Sequence, residues 1–250
     1  RWSTENAKDG DLTFVSGNPA STSRLLAVSQ LEATRDVSLP ASMIRLGELR
    51  GLLTEYGNRG AEQKRHSGPM LFGVENSLKA YRGRHGALAD RKFFASKVAA
   101  EGAFRAKIAA DPALKKTYGG VWDAIQATTD KSLTYRKAYN SLEGGLRTEL
   151  FGVARTLVRA AEEFPKPNGE RLKEYADAKL PQLKQKLFSK APIYDEFEVA
   201  TLTFALTKIR EDLGADHPAV KQILGQRSPE EIAKDAVKGT KLKDLKLRGE

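Results

Sequence analysis

Between Tyr194 and Leu213 the apolar residues Val199, Leu202, Leu206, Ile209 and Leu213 fall at intervals of three and four. That spacing places all five on one stripe of an α-helix, and a narrow stripe of this kind has to be covered by another helix. Gly214 follows at once and is a natural helix end. The same period recurs elsewhere. Leu46, Leu49, Leu53 and Tyr56 form one stripe, Phe94, Val98, Phe104 and Ile108 a second, and Leu114, Tyr118, Trp122 and Ile125 a third. Several striped helices in one chain predict a mainly α fold, an antiparallel multi-helix bundle. With 40% hydrophobic and 30% charged residues the chain can bury a core, and no apolar run reaches the length of a membrane span. No internal repeat of solenoid type is present.

Punctuation divides the chain. Asp11 to Ser16, DLTFVS, reads as a β-strand with Leu12, Phe14 and Ser16 on one face. One strand is not a sheet, so its partners are expected in sequence beyond Arg1, and both Arg1 and Glu250 read as cuts in a longer chain. The turn Gly17 to Thr22 follows, with Ser21, Thr22 or Ser23 as the next cap. Helix is expected over Leu25–Val37, interrupted at Pro40, then from Leu46 through Gly57 to about His66. Ser67-Gly68-Pro69 is read as a turn into the stretch Met70–Gly83. Asp111-Pro112 starts a helix, Gly144-Gly145 breaks one, and Pro165 to Gly169 is a loop. Pro181 splits a polar region, His217-Pro218 opens a short helix, and Ser228-Pro-Glu-Glu opens another with a capping box.

Much chemistry is excluded. There is no cysteine, so disulfides, thiol nucleophiles and cysteine-bound metal are absent. His66, His85 and His217 lie in no metal-binding run and read as surface residues; no nucleophile elbow, P-loop or dinucleotide fingerprint occurs. No catalytic residue and no cofactor site is expected in this chain. The formal charge of +10 raises the question of an anionic partner. Lys and Arg alternate with Asp and Glu along nearly every helix, the main excess being Lys238 to Arg248, which fits solvated faces better than a nucleic-acid patch. The placed-looking constellation is Met70–Gly83, where Phe72, Asn76 and Lys79 share a helix face. Gly73 either eases helix packing or admits a close approach by another group, and Asn76 is either a solvated surface residue or a ligand group.

Five stretches, in order and spanning nearly the whole chain, carry a resemblance: Asp11–Glu32, FGVENSLKAYRG at Phe72–Gly83, VWDAI at Val121–Ile125, APIYDEFEVATL at Ala191–Leu202 and SPEEIAKDAVKGTKLKD at Ser228–Asp244. The chain resembles serine peptidase family 46, bacterial exopeptidases of the dipeptidyl-peptidase 7 and dipeptidyl-peptidase 11 type; the family usually has glycine where this chain has Ala20. The resemblance implies a chymotrypsin-like double β-barrel with a Ser-His-Asp triad and an inserted helical domain that roofs the active site. Residues 1–22 would be the end of the first part of the catalytic β-domain, and 23–250 a helical lid domain. The triad would lie outside this chain, on both sides of it. The enzymes release dipeptides from the free amino terminus of peptides, without cofactor, and form homodimers in the periplasm or at the cell surface of Gram-negative bacteria. Asn76 matches the asparagine of the family's FG-x-x-N motif, which resembles part of the anchor for the substrate α-amino group, and Gly73 would let backbone approach closely. The expected partners are therefore peptide substrates, the catalytic β-domain of the same polypeptide and a second copy, without nucleic acid or a membrane span. The alternative is a stand-alone basic helical interaction or nucleic-acid-binding module.

Overall fold

The computed structural model describes residues 4–14, 16–17 and 25–249. Among the described residues all regular structure is helical. Helix α1 (Val28–Ala33) passes through a five-residue π-helical segment, Thr34–Ser38, directly into α2 (Leu39–Asn58). The break expected at Pro40 is therefore a wide turn and not an end. The Leu39 N–H donates to the Thr34 carbonyl, five residues back. This slack accommodates a proline, which has no N–H and crowds the carbonyl four residues before it.

Helix α3 (Ala61–Ala89) forms an antiparallel hairpin with α2. Its position corrects the reading of Ser67-Gly68-Pro69 as a turn: the chain reverses at Arg59-Gly60, and α3 runs unbroken through Pro69. Ser67 is 1% exposed, and a Cβ on Gly57 would lie 3.1 Å from its Oγ, so the two helices are in close contact there. That interface holds the backbone helical and offsets the roughly 3 kcal/mol that an interior proline costs.

Local signals explain the elements that follow. The Asp90 carboxylate accepts from the Phe93 N–H at 2.6 Å and opens α4 (Arg91–Ala110). Asp111 caps α5 (Pro112–Tyr118), accepting from the N–H groups of Ala113 and Leu114. Helix α6 (Val121–Leu142) ends at Gly144-Gly145, and Thr148 caps α7 (Glu149–Glu163). After a region of 3₁₀ turns come α8 (Leu180–Leu187) and α9 (Asp195–Leu213), the latter closed by Gly214 at φ 86°. Helices α10 (Pro218–Leu224) and α11 (Pro229–Gly239) complete the chain, and Ser228 and Glu231 form the expected capping box.

Helix α9 is the centre. Leu202, Leu206 and Ile209 are at most 8% exposed and pack with Leu146, Val220, Leu224 and Ala233. A second core joins α2 to α3 through Leu53, Val74 and Leu78, with Phe197 of α9 against it. Each fully buried side chain of this size contributes about 1.5–3 kcal/mol. The α4 stripe is different: Ile108 is buried, but Val98 and Phe104 are 47% and 56% exposed.

The expected strand is not formed by the described part of Asp11–Ser16; Val15, and the caps Ser21 to Ser23, lie outside the described residues. Leu12 and Phe14 are more than 80% exposed. A strand exists by pairing its N–H and C=O groups with a neighbour, and no neighbouring strand is present among the described residues. No helix among them is long and apolar enough to cross a membrane.

Candidate functional site

Helix α3 has two unlike sides. Val74 and Leu78 press into the core against Leu53 of α2. Asn76 lies two residues from each, about 160–200° around the helix, and so faces outward with Phe72 and Lys79, as the spacing predicts. Phe72 is 76% exposed. Asn76 is exposed, and its amide has no hydrogen-bond partner among the described residues. Its neighbours are engaged: Arg50 Nε lies 3.2 Å from Glu75 Oε1, and the Ser77 hydroxyl donates to the Gly73 carbonyl at 2.8 Å. The outward face thus offers an amide, a ring and an ammonium in one row, supported by a packed rear side.

Gly73 stands one turn before Asn76, at the edge between the two sides. A Cβ built on it meets nothing within 4 Å. Packing within the described chain therefore gives no reason for glycine at this position. Gly73 also lines a crevice between α2, α3, α9 and the Gly144-Gly145 turn, where Arg45, Arg147 and Asn140 add polar groups.

The histidines are built into the scaffold. His66, read as a surface residue, stacks on Tyr194 with ring centroids 3.5 Å apart, and its side chain is 13% exposed. The apolar ring face brings it into the α3–α9 contact. The His217 Nδ1 accepts from the Ala219 N–H at 3.2 Å and caps α10. His85 borders an open hollow with Arg35 and Asp36, where Arg35 holds the Asp36 carboxyl below its ordinary range. No group of three or more His, Asp or Glu among the described residues is arranged to hold a metal ion.

Sequence reasoning passed over Glu198 and Arg45. Glu198 is buried and accepts from the backbone N–H groups of Glu149 and Leu150, both at 2.9 Å. Arg45 is drawn to the Gly145 carbonyl across a hundred residues of sequence. The Gly144-Gly145 pair was the visible sign: a Cβ on Gly145 would collide with the Ser141 carbonyl oxygen and lie 3.1 Å from Arg45 Nη2.

Compared with known proteins, the chain matches the family model described as Peptidase S46 over residues 1–250. No curated protein matches it.

Proposed function

Because the chain belongs to the peptidase S46 family, a family of serine peptidases, we propose that it is the helical lid of an exported serine dipeptidyl-peptidase. In this reading the lid caps the cleft of a catalytic β-domain belonging to the same polypeptide. The nucleophile, base and acid of the triad reside in that β-domain, and this chain alone is inactive. The enzyme works as a homodimer in the periplasm or at the surface of a Gram-negative cell. Its substrates are peptides with a free amino terminus, from which it removes dipeptides.

One observation carries the proposal: Asn76 projects from α3 with its amide unengaged, beside the exposed Phe72 ring. An exopeptidase that cuts after the second residue needs a wall that stops the chain and an acceptor for the α-ammonium. The Asn76 Oδ1 accepts a hydrogen bond from that ammonium, while its NH₂ remains free to donate to a peptide carbonyl. Fixing the terminus sets the distance to the scissile bond, and rate is gained through positioning. Gly73, bare on the same helix, leaves room for substrate or β-domain backbone.

The basic charge does not favour a nucleic-acid module. Arg59, Arg105 and Arg159 are each paired with a carboxylate at 2.6–2.7 Å, so part of that charge is internally compensated.

The test is Asn76→Ala in the intact enzyme. A hydrogen bond to a charged group is worth about 1.5–3 kcal/mol, so kcat/KM for dipeptidyl substrates should fall roughly tenfold to a hundredfold, through KM. Stability should change by less than about 0.5 kcal/mol, because the side chain is exposed. Unchanged kinetics would remove Asn76 from the anchor.

A further inference from the structure

Arg45 and Arg147 flank the crevice beside Gly73, a hollow of about 570 Å³, within the range of small-ligand sites. Their charges are incompletely answered. Arg45 Nη2 donates to the Gly145 carbonyl at 3.2 Å, and its Nη1 is 3.7 Å from Asp212 Oδ2, too far for a hydrogen bond. That same Asp212 oxygen accepts from the Ser141 hydroxyl at 2.7 Å. Glu48, the other carboxylate acting on Arg45, is paired with Lys208 at 2.7 Å. Arg147 donates through Nε to the Gly144 carbonyl and makes no ion pair among the described residues. Burial pushes Arg45 below the ordinary guanidinium range; Asp212 opposes this shift and Arg147 adds to it. Arg45 thus has only a distant carboxylate, itself bonded to Ser141, and Arg147 has none among the described residues. Leu46, Leu49, Met70 and Val74 give the crevice an apolar wall, and the Phe204 ring lies under the Arg45 guanidinium, its centroid 5.8 Å away.

We propose that this crevice binds a peptide carboxylate, with the anion between Arg45 and Arg147 and a neighbouring aliphatic side chain against the apolar wall. Guanidinium groups suit a carboxylate because they present paired donors in a plane. The choice of a peptide among carboxylates rests on the peptidase reading. The crevice opens on a different side of α3 from Asn76, so it forms a second contact and not the amino-terminal anchor.

The experiment is a calorimetric titration of the chain with N-acetyl-Leu-Leu-Glu. The acetyl group removes the ammonium that Asn76 would hold, so this test is independent of the anchor. Binding is expected, weakened about tenfold by Arg147→Gln, the worth of one charge-assisted hydrogen bond. Arg147→Lys, which keeps the charge without the planar pair of donors, should bind between Arg147→Gln and the unaltered chain, Asn76→Ala should leave binding unchanged, and added salt should weaken it. N-acetyl-Leu-Leu-Gln-amide should bind no better to the unaltered chain than the acid does to Arg147→Gln. N-acetyl-Leu-Leu-Glu-amide supports a side-chain carboxylate if it binds like the acid, and a C-terminal one if it binds like the Gln amide. The proposal is overturned by equal affinity for acid and Gln amide, by an Arg147→Gln variant that binds normally, by loss of binding in Asn76→Ala, or by inorganic phosphate binding as tightly as the peptide.

Discussion

Glu198 and Glu163 are both carboxylates buried to 4% exposure; two backbone N–H groups hold the first, one backbone N–H and a lysine the second. Glu198, on α9, takes the first turn of α7, where unpaired N–H groups and the helix dipole favour an anion. Glu198→Ala leaves one buried and one part-buried donor unsatisfied, so the chain should lose about 2–3 kcal/mol, read as a lower urea midpoint with an unchanged slope. Glu163 accepts from Lys166 Nζ at 2.5 Å and the Leu172 N–H at 2.6 Å, and these, Lys166 foremost, hold its carboxyl below the ordinary 4.5. A lowered folded-state value means that the stabilisation is complete above about pH 4.5 and is lost as pH falls through the lowered value. Protection factors of the amides over residues 164–177, with the intrinsic pH dependence of exchange divided out, should therefore fall on acidification through that window. In Glu163→Gln those protection factors should be lower already at neutral pH and nearly flat below it. An unaltered profile in the variant would contradict the assignment.

Helix α3 and the α6–α7 turn use glycine for opposite reasons. Gly73 lies in a helix with open space around it, so Gly73→Ala should stabilise the chain by about 0.5–1 kcal/mol through helix propensity. At Gly145 the added methyl would run into the Ser141 carbonyl, and Gly145→Ala should destabilise by about 2 kcal/mol or more. Thermal melts of the two variants, moving in opposite directions, check both. If Gly73 serves a close approach from outside this chain, the stabilised variant loses activity in the intact enzyme; full activity would leave that role without support. The α2–α3 hairpin carries a related lesson. Pro69 and Gly68 are strong turn residues by composition, yet the turn formed ten residues earlier, where Ser67 could pack against Gly57.

The whole molecule has more surface than its size requires. Its accessible area is 17966 Å², against roughly 11,000 Å² for a compact monomer of 27.5 kDa. The excess includes the α4–α6 region, where Phe93, Phe104, Tyr118 and Tyr135 are more than 40% exposed. Small-angle scattering should give a radius of gyration well above the roughly 18 Å expected for a compact domain of this length. A value near 18 Å would mean that these helices fold back on the core. Exposed aromatic surface is the kind that a partner surface covers.

The sequence by itself determined which segments are helical, where many of them begin and end, and that the α9 stripe seeks a core, whereas Leu114 to Ile125, read as one stripe, is split between α5 and α6 at Gly119-Gly120. Periodicity, Asp and Ser caps, and glycine stops act within a few residues, and the α9 seam, the Asp111 cap and the Ser228 box stand where they were read. It also placed Phe72, Asn76 and Lys79 on one face, because helix geometry alone fixes that relation. Only the tertiary structure decided that α3 passes through Pro69, that His66 is stacked and half-hidden, and that the α4 stripe stays mostly uncovered. The same holds for Arg45 and Arg147, which are set beside a shared hollow. Those outcomes depend on desolvation and on contacts between residues far apart in sequence, which no local pattern encodes.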